Sequence, residues 1–402
     1  MNRLKYSVLF IVALLSLSNI HIAEAASDSK FVVIQPYIST VDLDLIRFIG
    51  DASHSRGLKV SWYVPPNPDS GITQEAINLF KQYEQMGDSV QLSFRGVFFS
   101  WMGQSERTAY VDQTMGNFFN AFGRYPSLVA SFYIDSYTLN YIIAHYPTVK
   151  GGIVYCNHEV VTDSLESKGG YYMPYYPSRY NTMTPASGDE KLNFVAMPFL
   201  HRDVTNCIKH NVVTRNLYPG DYLLTVQRSE SIPARSIYFP RLFSAYINGW
   251  TPYGLVLYGL DVPHNLASCK DMITQDLDYI KQQVSTGVCQ NVLDTEFVSW
   301  FRSKYQDSPS YVWKYTDPEG TNQAFEWQFT TEYRTGYVDG VHYETRIYQH
   351  NVAEPAYNVP LQPYLNNMPL GSPISSPSSP NHVIIVAMLL MMVIFLYRRK
   401  VR

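Results

Sequence analysis

Charge is scarce in this chain, and what there is lies scattered. Of 402 residues, 16% are Asp, Glu, Lys or Arg, the formal net charge is -3, and no stripe of lysine or arginine forms. A nucleic-acid partner is therefore not expected, because holding phosphates takes a basic footprint. No GxGxxG turn follows an apolar run, which argues against a dinucleotide-binding sheet. The four cysteines, Cys156, Cys207, Cys269 and Cys289, match no zinc-knuckle spacing. None of the ten histidines has another four residues on, so no metal or cofactor is assigned. A non-standard divalent site, for instance His158 with Asp135 and His264, stays open. What is plentiful is tyrosine, 33 residues against 6 Trp and 20 Phe. Its ring can stack on a sugar while its hydroxyl bonds one, although most of the 33 are expected to cover helices and strand edges.

The two ends assign a compartment. Residues 1–25 have a short basic start (Arg3, Lys5), an apolar stretch and Ala23-Glu24-Ala25, the pattern of a secretory signal peptide. Residues 383–397 are uninterruptedly apolar and are followed by Arg398, Arg399, Lys400 and Arg402. That reads as a membrane helix over 382–397 with its basic tail, 398–402, in the cytoplasm. The alternative is a sorting tail that is cut and replaced. A Pro/Ser-rich stalk over 359–381 leads into it. The expected protein is a single-pass cell-surface protein with its body outside, where disulfides are permitted. The helical pattern over 266–284 would hold Cys269 and Cys289 roughly 25 to 30 Å apart, so a bond to Cys269 is expected from Cys207 or Cys156.

Between the ends, 46% hydrophobic composition allows one large core and a smaller module. Apolar runs at 31–37, 58–64, 89–94, 128–134, 152–155, 192–199 and 254–260 read as strands, with helical spacing over 41–56, 73–86, 106–122 and 234–248 between them. Such alternation predicts an α/β fold, a seven-stranded (β/α) TIM-like barrel over 30–306. Short alternating strands after Pro309, with turns at Pro318-Glu319-Gly320 and Asp339-Gly340, predict a small β module over 309–358.

The runs GLKVSWYVPPN, KQYEQMGDSVQLSFRG and FGRYPSLVASFYIDSYTLNYI resemble segments of the glycoside hydrolase/deacetylase superfamily of (β/α)7 barrels, the group holding the NodB-like polysaccharide deacetylases. FGRYPS, YIDSYTLNY, YYPSRYN, EFVSWF and YETRIY are similar to a family placed beside those deacetylases. The resemblance covers about residues 30–350 and implies a carbohydrate partner. Deacetylases of this type hold a metal with an aspartate after the first strand and a His-x-x-x-His pair. Here the matching positions read Gln35-Pro36-Tyr37 and Ser93-Phe94-Arg95-Gly96.

Glycoside hydrolysis needs two carboxyl groups across the scissile bond. The strand-end candidates are Asp135, Glu159 and Asp261, with Glu159 and Asp261 expected as the pair and Asp135 as an orienting group. Asp135 would equally serve as the N-cap of the helix that follows it. His158, His264, Arg95, Trp62, Tyr175 and Tyr176 are the expected substrate-binding residues, and Arg95 could instead pair with an acidic neighbour. The function expected is a membrane-anchored, extracytoplasmic glycan hydrolase. The alternative is a non-catalytic glycan-binding protein descended from a deacetylase that has lost its metal site.

Overall fold

The computed structural model describes residues 29–348, apart from 96, 98, 100–101, 155–170, 211 and 213, together with 365–367. The first strand sets the plan: β1 (Lys30–Ile38) is buried along almost its whole length, as a run apolar on both faces must be in the middle of a parallel sheet. Then come α1 (Leu43–His54), β2 (Ser61–Val64), α2 (Gln74–Gln85), β3 (Ser89–Ser93), α3 (Gln104–Phe122), β4 (Leu128–Ala130), α4 (Ser136–His145), β5 (Gly151–Ile153) and β6 (Val195–Ala196). Helices α5 (Val204–His210), α6 (Pro219–Gln227) and α7 (Arg235–Asn248) lead to β7 (Trp250–Thr251) and β8 (Gly254–Val262). After α8 (Lys270–Ser285), β9 (Gln290–Asn291) and α9 (Asp294–Lys304) come β10 (Tyr311–Thr316), β11 (Ala324–Phe329), β12 (Tyr333–Val338), β13 (Val341–Tyr348) and β14 (Leu365–Asn367).

The seven long-path strands form one curled parallel sheet in the order β6-β5-β4-β3-β2-β1-β8, with β9 pairing β1 off that path. The predicted α/β fold with seven parallel strands is therefore present. Its helices start where their caps say they should: Asp42 accepts from Leu45 N at 3.0 Å, and Thr73 from Ala76 N at 3.2 Å.

The curl is not closed by a ladder, since β6 and β8 are not hydrogen-bonded neighbours. The chain just after β6 lies against β8 instead. The Leu257 amide donates to Nδ1 of the buried His201 at 3.1 Å, and a Cβ on Gly259 would sit 2.4 Å from the Phe199 carbonyl oxygen. From β1, the Gln35 side-chain amide donates to the Pro198 carbonyl at 3.1 Å.

The second sheet is antiparallel, in the order β14-β13-β12-β11-β10-β7. Its sixth strand, β7, comes from the stretch between α7 and β8, so the module is stitched into the barrel rather than appended. The joint is aromatic. Trp250 stacks on Trp313 at 4.7 Å, and Tyr246 lies 4.7 Å from the same indole.

Among the described residues no helix is long and apolar enough to cross a membrane. The expected signal peptide, membrane helix and basic tail lie outside the described residues, as does Cys156; of the expected stalk only 365–367 are described, and they form β14 against β13 rather than a bare linker. Of the two partners expected for Cys269, Cys207 is not bonded to it, and Cys156 lies outside the described residues. Burial pushes the Cys269 thiol up to about 11 and the Cys289 thiol up to about 12, which keeps both protonated.

Candidate functional site

Strand alternation decides which side chains can reach the barrel mouth. Trp62 faces the helices: its ring lies 5.6 Å from Phe80 and 5.4 Å from Tyr83 of α2, and its indole N–H donates to Asp88 Oδ2 at 2.8 Å. Its neighbours Ser61 and Tyr63 must then face inward. Tyr63 is paired with Tyr37, and Tyr37 with Asp261, so these three share the inner face near the C-terminal ends of β2, β1 and β8. The Tyr37 hydroxyl donates to the Arg95 carbonyl, and its ring contacts Phe132 at 5.9 Å and Phe199 at 5.6 Å. Asp261 is 4% exposed, and the Tyr218 hydroxyl, between the carbonyls of Asp261 and His264, fixes the backbone there.

Several expected site residues do other work. Asp135 caps α4: its Oδ1 accepts from Thr138 N and its Oδ2 from the Thr138 hydroxyl, both at 3.0 Å, and Arg107 Nη1 lies 2.9 Å from Oδ1. At 3% exposure it is a structural anchor. Arg95 takes the pairing alternative, donating to Asp69 at 2.7 Å and to the Ser39 carbonyl at 3.0 Å. His264 is exposed, its Nε2 3.1 Å from the Asn265 side-chain nitrogen. Trp62, as shown, lies on the wrong face for a sugar platform.

Tyr175 and Tyr176 are also corrected, being core residues. The Tyr175 hydroxyl donates to the Thr182 carbonyl at 2.7 Å and that of Tyr176 to the Tyr305 carbonyl at 2.8 Å. Tyr171 and Tyr172 pack edge-on against Phe329 at 5.5 and 5.0 Å. The tyrosine-rich stretch is the filling between barrel and second sheet. Glu159 and His158 lie outside the described residues.

Inspection of the sequence missed three buried ionisable groups, because each is placed by residues far along the chain. His201 is held neutral by burial, its pKa well below the usual value, and its ring stacks on Tyr246 at 3.8 Å. Burial raises Asp203 from 3.8 to about 7, against hydrogen bonds from Asn206 that pull the other way. Burial likewise raises Asp294 from 3.8 to about 6, opposed by Tyr63 and by the Thr295 amide.

A carboxyl whose folded pKa is raised binds its proton more tightly in the native state. Its contribution is complete below the unfolded value and is lost as pH rises through the folded one. Denaturant unfolding at about pH 5 and about pH 8 should therefore show the wild type losing on the order of a few kcal/mol relative to an Asp203→Asn, Asp294→Asn double variant. His201 acts in the opposite sense and cancels in that difference. Parallel pH profiles for the two proteins would show that neither aspartate titrates in this range.

No protein-family model and no curated protein matches the chain. Among solved structures it is similar to a protein from Parabacteroides distasonis assigned by name as a glycoside hydrolase/deacetylase, with a TM-score of 0.65 and 12% identity over 90% of this chain and 98% of that one. This chain shares that protein's fold. A polysaccharide deacetylase from Pseudomonas aeruginosa is a more distant likeness, with a TM-score of 0.43 and 10% identity over 69% of this chain and 93% of that one.

The metal that deacetylases of this fold use does not suit the residues described. Where β1 would carry its aspartate, the Gln35 amide donates to backbone carbonyls. At the end of β3 stands the Arg95 cation, tied to Asp69. Among the described residues no three His, Cys, Asp or Glu side chains gather as a metal site.

Proposed function

We propose that the protein is a membrane-anchored, extracytoplasmic carbohydrate-active protein whose barrel mouth hydrolyses a glycan. The observation that carries this reading is the place of Asp261. It stands one residue before the end of β8 on the inner face, level with Tyr37, whose ring is flanked by Phe132 and Phe199; at 4% and 1% exposure the carboxyl and the ring lie beneath the surface of the mouth. A carboxyl group beside aromatic faces complements a sugar, whose C–H faces are apolar and whose hydroxyls donate. With Asp135 committed to Arg107 and Thr138, the second carboxyl falls to Glu159. One of the two protonates the leaving oxygen, and the other activates water or attacks the sugar carbon. His158 and His264 are then the candidates for binding substrate hydroxyls, and the anchoring rests on residues 1–25 and 382–397.

The test is product release from defined polysaccharides by the full chain. Asp261→Asn and Glu159→Gln should each lower turnover by roughly a hundredfold or more with the unfolding midpoint little changed. If a substrate is found and neither variant slows it, the assignment fails. One observation favours the glycan-binding alternative: Asp261 and Asp135 are both almost wholly buried. Saturable glycan binding without product from the wild type would decide for that alternative.

A further inference from the structure

At the end of the barrel opposite the mouth, α9 lies across the starts of the strands. Its Phe297 and Trp300 rings sit 5.7 and 4.7 Å from Phe31 of β1, and a Cβ on Gly151 at the start of β5 would meet Val298 at 3.1 Å. The chain leading into β6 passes the last turn of this helix. Between them is a pocket of about 270 Å³, walled chiefly by Tyr176, Arg179, Lys191, Asn193, Arg302 and Gln306. Asp189 is the one acid among its lining residues.

Stretches far apart in the sequence bring these side chains together. An antiparallel bridge pairs Ser178 with Lys191, and the Arg179 amide donates to the Glu190 carbonyl at 2.8 Å. Arg302 Nη1 donates to the Asn193 carbonyl at 3.3 Å. Lys191 Nζ lies 5.3 Å from the centre of the Tyr176 ring and donates to the Gln306 carbonyl. Burial raises the pKa of the Tyr176 hydroxyl, against the charge of Arg302 nearby. Unlike that ring, the cations are open to solvent: Arg179 is exposed, and Lys191 and Arg302 are half-buried.

The charge of Lys191 is matched. Asp307 Oδ1 accepts from it and from the Gly188 amide, both at 2.8 Å, and these contacts hold the Asp307 carboxyl below its usual range. The two guanidinium groups are not matched. Among the described residues neither has a carboxylate within ion-pair distance, and the Arg179 side chain has no hydrogen bond at all. Elsewhere surface arginines do find a carboxylate, Arg47 at Glu75 and Arg56 at Asp278.

Two unmatched cations lining one pocket repel each other, and an oxyanion between them removes that cost. The arginine fork presents paired N–H donors that fit the oxygens of a carboxylate or phosphate. The exposed side-chain amides of Asn193 and Gln306, with no hydrogen bond to the described residues, suit hydroxyl groups. The volume falls a little below the roughly 300 Å³ at which pockets for drug-sized ligands begin, which suits one sugar ring. We propose that this pocket is a binding site, distinct from the barrel mouth, for a monosaccharide-sized ligand carrying one carboxylate or phosphate group. Arg179 and Arg302 hold the oxyanion, Lys191 adds to the positive field, and Asn193 and Gln306 take the hydroxyls. The proposal does not depend on the reaction assigned to the mouth.

The test is calorimetric titration of the full chain at low salt with D-glucuronate, D-glucose 6-phosphate, inorganic phosphate and D-glucose, each separately. Saturable binding of glucuronate or glucose 6-phosphate is expected, roughly tenfold tighter than that of glucose or inorganic phosphate and weakened severalfold by about 0.2 M salt. Which of the two sugars binds better tells carboxylate from phosphate. Arg179→Gln and Arg302→Gln should each weaken the binding roughly tenfold. Arg179→Gln, which breaks no side-chain contact with a described residue, should leave the thermal midpoint unchanged. Absence of saturable binding by both anionic sugars overturns the proposal. So does binding that Arg179→Gln leaves unchanged, or glucose or inorganic phosphate binding as tightly as the anionic sugars.

Discussion

Gly152→Ala is expected to yield almost no folded protein. Gly152 lies in the middle of β5, paired with Val129 on one side and Ala196 on the other, at a φ of +142° that L residues rarely adopt. A Cβ there would sit 1.8 Å from the Val129 carbonyl oxygen and 2.8 Å from that residue's amide nitrogen. Those atoms belong to the backbone of a central strand and have no rotamer with which to move aside. Relief would mean separating β4 from β5 where the sheet bends. The expected loss is at least about 4 kcal/mol, a large part of the roughly 5 to 15 kcal/mol by which domains are stable. Gly151→Ala is the control, since its Cβ would meet the Val195 oxygen at 2.8 Å and otherwise the movable methyls of Val298. Soluble yield and thermal midpoint should rank wild type, Gly151→Ala and Gly152→Ala in that order. A Gly152→Ala protein melting with the wild type would mean that the close approach of β4 and β5 is not as described.

Arg334→Met should cost about 3 to 5 kcal/mol. The guanidinium of Arg334 is fully buried, bonded through Nε to Glu344 Oε1 at 3.0 Å, and Nη1 reaches the Tyr172 hydroxyl. It also lies 5.1 Å from the Tyr172 ring centre and 5.3 Å from that of Trp327. Methionine fills much of the volume but leaves Glu344 charged and buried beside apolar rings. The double variant Arg334→Met, Glu344→Gln removes that stranded charge and should recover more than half of the loss. A full double-mutant cycle by denaturant unfolding measures the coupling. If the double variant is no better than Arg334→Met, the aromatic contacts rather than the ion pair hold this joint.

The course of the chain was legible from its apolar runs, because strands buried on both faces are written as such in a parallel sheet. Residues 31–37 and 254–260 fall within β1 and β8, and the seven-strand count follows from the alternation. The same property hid the facing of individual residues. In LKVSWYV one alternate set is Leu58, Val60, Trp62 and Val64 and the other is Lys59, Ser61 and Tyr63, but both faces of a parallel sheet are covered, so nothing local says which set meets α2 and which turns inward. Tyr175 and Tyr176 read as substrate-binding residues because the sheet that covers them is written more than a hundred residues later. Helices α5 and α6 escaped notice, since seven and nine residues, largely buried, give little periodicity to read. The capping alternative for Asp135 could be seen locally. Its partner Arg107 could not, as it comes from a different helix.

The seam between β6 and β8 sets this sheet apart from its own other joints. Ladder hydrogen bonds belong to the backbone, and almost any amino acid can supply them. Along this seam, part of that role passes to the imidazole of His201 and to the bare α-carbon of Gly259. Apart from the close approach at Gly152, the shape of the sheet is thus generic over most of its circumference and residue-specific along one line. Substitutions tolerated elsewhere in the strands would there decide whether the barrel's edges meet.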